Sequence, residues 1–301
     1  MKKRILFLTG TRADFGKLKP LMLAVENSSN FECLVFVTGM HLLSKYGLTV
    51  EEVQNAKFKN IYTYVNQMHG EPMELILANT INGLSRYVHE YRPDLIVVHG
   101  DRVEALAGAI IGALSNILVA HIEGGEISGT VDEIMRHAVS KLSHVHFVAN
   151  EVSANRLIQL GEARESIYII GSPEIDIMLS NKLPKIKKVK QRYGISFARY
   201  GIVLFHPVTT EVVQQRKYAQ ELVAALISSK QNFVVIYPNN DLGSDEIFDA
   251  YGALKDRPGF KILPSMRFEY FLSLLKHTRI IVGNSSVGMR EAPVYSVPSV
   301  N

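Results

Sequence analysis

The chain has a single cysteine, Cys33, so no disulfide can form within it. Set in an apolar run, that thiol reads as a small buried hydrophobe of a protein kept in a reducing compartment. No stretch reaches the roughly 18 uninterrupted apolar residues of a membrane span. No low-complexity tract or internal repeat is visible beyond the strand and helix rhythm described below. The apolar residues Ile5 to Leu8 follow Lys2, Lys3 and Arg4 but give way at once to Thr9, Gly10, Thr11 and Arg12. That run is shorter than the roughly seven residues a signal peptide needs, and it reads as the first buried strand of a cytoplasmic protein. Excess charge is also scarce, at 33 basic against 29 acidic residues, or +4. Lys182, Lys185, Lys187, Lys188, Lys190 and Arg192 supply six positive charges in one acid-free run, and subtracting them leaves −2. The net charge therefore describes a solvated linker, with no nucleic-acid or membrane partner implied.

What is present is globular: 47% apolar and 21% charged residues over 301 positions, a length that predicts two domains of ordinary size. Short β-rich apolar runs at 4–10, 33–39, 61–65, 94–100, 117–124, 144–150 and 167–171 alternate with helix-period segments, the pattern of a parallel sheet wrapped by helices. One such helix spans 71–91, with Leu75, Ile76, Asn79, Leu84 and Val88 near a 3.6 period and Pro93 ending it. The rhythm lapses through the basic stretch and resumes with strands at 202–207, 233–238, 260–263 and 280–283. The expected fold class is α/β with two Rossmann-like domains: 1–181, a basic linker at 182–200, and 201–301. Residues 287–294 read as a helix broken by Pro298, and Ser299, Val300 and Asn301 read as the first residues of a further strand. The expectation is a C-terminally truncated form with an incomplete second domain.

In open α/β sheets, ligands bind beyond the carboxyl ends of the strands. The first strand ends in Thr9-Gly10-Thr11-Arg12-Ala13-Asp14-Phe15-Gly16, with a helix expected from Lys17. Two glycines let backbone approach an anion and Arg12 can fork onto a phosphate, although the segment equally fits a tight turn with a surface arginine. It is neither a complete dinucleotide fingerprint nor a P-loop. The fourth strand ends His99-Gly100-Asp101-Arg102 and the fifth His121-Ile122-Glu123-Gly124-Gly125. Strand alternation places His99 with Asp101 and His121 with Glu123, so that two neighbouring units each deliver a histidine and a carboxylate to one edge. Thr130 and Glu133 form a capping-box pattern in which Asp132 is a first-turn acid complementing the helix dipole. His144 and His146 alternate on a strand start; with no cysteine nearby and no fixed third ligand, they read as polar histidines around the site rather than as a metal centre. In the second half, His206-Pro207, Asn239-Asn240-Asp241 and Gly283-Asn284-Ser285-Ser286 close successive strands. Hydroxyls at a helix start suit a diphosphate, and Ser286 also fits an ordinary N-cap. Phosphate-type loops on two such domains suggest an inter-domain cleft for a nucleotide sugar.

The run 9–22 (TGTRADFGKLKPLM), HGDR at 99–102, HIEGGEISGTVDEIMRHAVSKLSHVHF at 121–147, GSPEID at 171–176, FHPVTTE at 205–211 and GNSSVGMREAP at 283–293 together resemble the hydrolysing UDP-N-acetylglucosamine 2-epimerases, in order along the whole chain. The non-hydrolysing branch carries GTRPE-type and HVEAG motifs where this chain has TGTRAD and HIEGG. The resemblance implies a GT-B-like pair of Rossmann domains with UDP bound in the cleft. It implies Asp101, Glu123 and Asp132 as catalytic carboxylates, with His206 near the diphosphate and sugar. It implies Arg12, Ala13, Arg102, Gly171, Asn239, Ser285, Ser286 and Glu291 as UDP contacts, and His99, His121, His144 and His146 as residues around the site. No cofactor and no metal go with it; the implied partners are a UDP-sugar substrate, UDP product and further copies of the chain in a dimer or tetramer. Similar enzymes continue for some tens of residues past the position of Asn301.

The chemistry can be argued separately. The hydrogen on C2 of the sugar has no adjacent carbonyl, so direct deprotonation is steep. Departure of UDP from C1 creates an oxocarbenium-like centre that acidifies C2–H, and a carboxylate removes that proton to leave a glycal. A proton returned to the opposite face of C2, with water adding at C1, inverts C2 without NAD or PLP. Base and acid stay unassigned among Asp101, Glu123 and Asp132. The same reaction on a UDP-2,4-diacetamido-6-deoxy sugar, a GT-B glycosyltransferase and a non-catalytic nucleotide-sugar sensor are the competing readings. A glycosyltransferase needs an acceptor cleft and does not require three converging carboxylates, and a sensor would bind UDP yet tolerate Asp101→Asn.

Overall fold

The computed structural model describes residues 2–301 apart from the side chain of Thr130. The chain divides into two compact units, Met1–Ser44 with Leu48–Glu174, and Lys45–Gly47 with Ile175–Asn301.

In the first unit the order is β1 (Lys3–Thr9), α1 (Arg12–Glu26), β2 (Phe31–Val37), α2 (Val50–Asn55), β3 (Asn60–Thr63), α3 (Met73–Tyr91), β4 (Leu95–His99), α4 (Val103–Leu114), β5 (Leu118–Ile122), α5 (Thr130–Lys141), β6 (Val145–Val148), α6 (Glu151–Gln159) and β7 (Ile167–Ile169). Among the described residues these strands form one parallel sheet ordered β3-β2-β1-β4-β5-β6-β7. The order reverses between β1 and β4, which makes their carboxyl ends the switch point where such sheets bind ligands. Strand residues pack by parity. Leu6, Leu8, Leu34 and Phe36 enter one core, and Ile5, Phe7, Cys33, Val35 and Val37 enter the other. Both faces are covered, which is why the strands read as continuous apolar runs.

α7 (Pro173–Leu179) carries the chain from one unit to the next. The second unit continues with α8 (Ile186–Tyr193), β8 (Gly201–Leu204), α9 (Gln215–Ser228), β9 (Phe233–Ile236), α10 (Ser244–Tyr251), β10 (Phe260–Leu263), α11 (Phe268–Lys276), β11 (Ile281–Val282), α12 (Val287–Arg290) and β12 (Ser299–Val300). Its sheet runs β10-β9-β8-β11-β12, again parallel. Ile202, Leu204, Val234 and Ile236 face one core, and Val203, Phe233 and Val235 the other.

Three local expectations change. α1 begins at Arg12 rather than Lys17, because Thr11 and Asp14 cap it reciprocally and override Gly16. The basic stretch is not bare linker: within it α8 buries Val189 beside Ile195 and Tyr200, leaves Lys187 and Lys188 exposed, and folds Lys190 back onto the Phe197 carbonyl and the Tyr200 ring. The expected 287–294 helix is a single turn followed by a 3-10 turn, Ala292–Tyr295, since Pro293 cannot continue the α ladder. Ser299 and Val300 form an edge strand, paired with Ile281 and Val282.

Candidate active site

The carboxyl ends of β4 and β5 depart from strand geometry at once. Gly100 has φ +73 and Glu123, with a Cβ, has φ +66. The strand alternation that would align His99 with Asp101 and His121 with Glu123 therefore breaks at Gly100, one residue before Asp101, and at Glu123 itself. A non-glycine residue in the left-handed region costs about 1–3 kcal/mol and persists only where its surroundings hold it. Here they do: the Glu123 N–H donates to the Phe147 carbonyl at 3.1 Å, and its own carbonyl accepts from Arg136 Nη1 at 2.9 Å.

That turn swings the Glu123 carboxylate into a group of charges. Its Oε1 lies 2.9 Å from Lys17 Nζ and 3.4 Å from His99 Nε2, and its Oε2 lies 3.9 Å from Arg136 Nη1. The other arm of Arg136 binds Asp101. Lys17 Nζ also stands 3.5 Å from Glu174 Oε1. Glu123, Lys17, Arg136 and Glu174 are all buried. Charges of alternating sign from α1, α5, α7 and two strand ends thus meet at one place, with Glu123 at the centre. Buried charges of this kind survive only when paired, and each has a counter-ion here.

His121 serves this arrangement from beneath. It is fully buried, donates from Nε2 to the Gly100 carbonyl at 2.8 Å and accepts from the Ser140 hydroxyl at Nδ1, 3.0 Å away. Burial pushes its pKa down to about 3, so the ring is neutral and holds the turn that presents Asp101. Asp132 is half-buried in the first turn of α5, four residues before Arg136 and so on the same helix face. The capping box expected here does not form with Glu133: Gly129 is the N-cap and the Glu133 carboxylate accepts the Ser128 N–H at 3.1 Å. The Thr130 side chain in that expectation lies outside the described residues.

At the end of β1, Asp14 accepts the N–H groups of Gly10 and Thr11, each at 3.0 Å, and the Thr9 hydroxyl. Burial raises its pKa against those bonds. Arg12 is in the first turn of α1, not on a free loop, and its Nη2 pairs with Glu52 at 2.7 Å. Ala13 is exposed beside it. Arg102 is the N-cap of α4, with Nε 3.5 Å from the buried Glu104. Two arginines at the switch point are each backed by a carboxylate.

In the second unit His206 ties three strand ends together. Its N–H donates to Asn284 Oδ1 at 2.7 Å, its carbonyl accepts from Asn284 Nδ2 at 2.9 Å, and its ring Nδ1 accepts the Asn239 N–H at 3.0 Å. The last bond leaves the ring proton on Nε2. Gly283 (φ +126) lets the β11 end pass this close, since a Cβ there would stand 2.0 Å from the Leu204 carbonyl oxygen. Ser286 occupies the N-cap of α12 without a side-chain cap bond; Ser285 Oγ accepts the Val287 N–H instead, at 3.4 Å. Asn239 also binds Asp241, and Glu291 is buried at the end of α12.

The UDP-N-acetylglucosamine 2-epimerase family profile matches residues 23–301. The UDP-N-acetylglucosamine 2-epimerase of Neisseria meningitidis serogroup B is 53% identical over 99% of this chain and 79% of its own length. The chain belongs to the UDP-N-acetylglucosamine 2-epimerase family. The UDP-N,N'-diacetylbacillosamine 2-epimerase (hydrolyzing) of Legionella pneumophila is 34% identical over 100% of this chain and 81% of its own length. Among solved structures, the Methanocaldococcus jannaschii UDP-GlcNAc 2-epimerase in complex with UDP-GlcNAc and UDP superposes with TM-score 0.82 at 21% identity, over 98% of this chain and 83% of that one. This likeness is one of fold, GT-B-like with two parallel-sheet α/β units.

Within this epimerase-family chain, not every expected residue joins the charged group. His144 is exposed before β6, where its Nδ1 accepts the Val119 N–H at 3.1 Å; that is the amino end of the strand, whereas Asp101 and Glu123 follow carboxyl ends. His146 is buried next to His121 in register, but its Nε2 is 3.2 Å from Glu162. Gly171 is exposed, with φ +75, two residues before α7. Sequence reasoning passed over Lys17, Arg136 and Glu174. The available signals were charged residues inside helices otherwise turned to the core: Lys17 between Gly16 and Leu18, and Arg136 after Met135.

Proposed function

We propose that this chain is a hydrolysing 2-epimerase that converts UDP-N-acetylglucosamine and water to N-acetylmannosamine and UDP. The observation that carries the reading is the single guanidinium, Arg136, that holds both Asp101 and Glu123, placing two carboxylates at the edge where the sheet order reverses. Acid and base on one sugar ring need that proximity. Glu123, with cationic Lys17 and Arg136 beside it, begins the reaction ionised, as a proton acceptor must. The C1–O bond to UDP breaks, the C2 proton passes to a carboxylate, and a glycal forms. Water then adds its hydroxyl at C1 while a proton enters C2 from the opposite face, so the atoms of substrate plus water equal those of the two products. Arg12 and Arg102 would neutralise the departing diphosphate, each held by its glutamate. Asp132 supplies the third carboxylate. The loops around His206, Asn239, Ser285, Ser286 and Glu291, with Ala13 and Gly171, are the proposed UDP contacts.

The 53% identity to the N. meningitidis enzyme favours N-acetylglucosamine over a diacetamido-dideoxy sugar as the natural substrate. We also propose cytoplasmic action as a homo-oligomer; among the described residues no helix is long and apolar enough to cross a membrane. Incubation with UDP-N-acetylglucosamine and no acceptor tests the reading. Free N-acetylmannosamine and UDP in equal amounts support it, and recovery of unchanged substrate, or of UDP with free N-acetylglucosamine, contradicts it.

A further inference from the structure

Lys17 lies between two buried carboxylates, Glu123 at 2.9 Å and Glu174 at 3.5 Å. The first belongs to the proposed proton-transfer machinery. The second has no such place: Glu174 is the last residue of the first unit, one step inside α7, and only 2% exposed. A carboxylate is costly to bury, so its presence beside an ammonium that already has a partner calls for a reason.

We infer that Glu174 is a positioning residue, which braces Lys17 against Glu123 and draws off part of the lysine's charge. The inference rests on the reading of Glu123 as a proton-transfer group. Lys17 reaches Glu123 from α1, Arg136 from α5 with Asp101 behind it, and His99 from β4, while neutral His121 sits below. Asp101 offsets Arg136, but with Lys17 at its full charge beside it the Glu123 carboxylate would be a poorer proton acceptor. Glu174 offsets Lys17 from the side away from Glu123. It leaves the running order Asp101, Arg136, Glu123, Lys17, Glu174 strictly alternating in sign, with one net negative charge. It also fixes the ammonium, whose flexible stem would otherwise let it swing off Glu123.

Two consequences separate this role from simple packing. Glu174→Gln keeps the shape and removes the charge. It should lower kcat about tenfold while KM and the UDP dissociation constant stay within about twofold, and Glu174→Asp should recover part of the loss. In the full chain, a stability cycle of Glu174→Gln, Lys17→Met and the double variant should be non-additive, with Glu174→Gln destabilising only while Lys17 is present. Additive stabilities overturn the inference whatever the activity. So does a Glu174→Gln variant with wild-type kcat in an active enzyme, or one whose KM rises and whose UDP affinity falls in step with the loss of kcat. A wild-type chain that binds UDP but releases no N-acetylmannosamine overturns the functional reading instead, and the Glu174–Lys17 coupling in the stability cycle is still read independently.

Discussion

Arg136 meets Glu123 at both backbone and side chain, donating from Nη1 to the carbonyl at 2.9 Å and standing 3.9 Å from Oε2, while Nη2 holds Asp101. One side chain therefore sets the left-handed turn at Glu123 and the separation of two carboxylates. Arg136→Met should lower kcat about a hundredfold through lost orientation. Arg136→Lys should recover little, because a single ammonium lacks the planar two-armed fork that reaches the Glu123 carbonyl with one nitrogen and Asp101 with the other. Steady-state kinetics on both variants checks this, and near-normal kcat in the lysine variant would show that the fork is not what orders the site.

Asp101→Asn and Glu123→Gln preserve shape and remove a proton carrier. Each should reduce kcat by about 100-fold or more, with UDP affinity by calorimetry close to that of the unaltered chain. A variant that turns over normally removes its residue from the mechanism.

The clamp of Asn284 on both backbone groups of His206 positions the second unit's loops. Asn284→Ala should weaken UDP binding about tenfold, roughly the worth of two lost hydrogen bonds, and leave the fold intact by circular dichroism. Asn284→Asp keeps one acceptor and should fall between. Unchanged UDP affinity in the alanine variant would dissociate the clamp from nucleotide binding.

Two buried histidines make stability depend on pH. His41, held between the hydroxyls of Thr9 at 3.0 Å and Thr49 at 2.6 Å, and His121 both have pKa values pushed down to about 3, by burial first and by Arg12 beside His41. Below the ordinary histidine value of 6.5 the unfolded chain binds protons that the folded chain refuses. Stability is therefore complete above 6.5 and falls as the pH drops toward 3. Near pH 5 the loss is about 2 kcal/mol for each ring. Urea unfolding at pH 7.5 and 5 measures it, and His41→Gln should shrink the difference; equal stability at the two pH values would contradict the neutral assignment.

Much of the fold was legible because strands buried on both faces leave unmistakable apolar runs, as Ile5 to Leu8 and Cys33 to Val37 do. Asp101 and Glu123 are legible as strand-end acids, but positive φ at Gly100 and Glu123 replaces the strand alternation that the letters predict. α1 starts at Arg12 rather than at the expected Lys17 because Thr11 and Asp14 cap it, a local bond pattern compatible with the letters. Lys17, Arg136 and Glu174 were not legible. Charges on helices ordinarily face water, and only the three-dimensional meeting of α1, α5 and α7 turns them into mutual counter-ions. His144 is legible at a strand start and is found there, just before β6, bonded to the Val119 N–H.

The central claim is that C2 is deprotonated and reprotonated while UDP departs. Turnover of UDP-N-acetylglucosamine in deuterium oxide, followed by proton NMR of the released sugar, tests it most directly. The account predicts N-acetylmannosamine carrying deuterium at C2 in every molecule formed. N-acetylmannosamine that retains hydrogen at C2 would contradict elimination and re-addition.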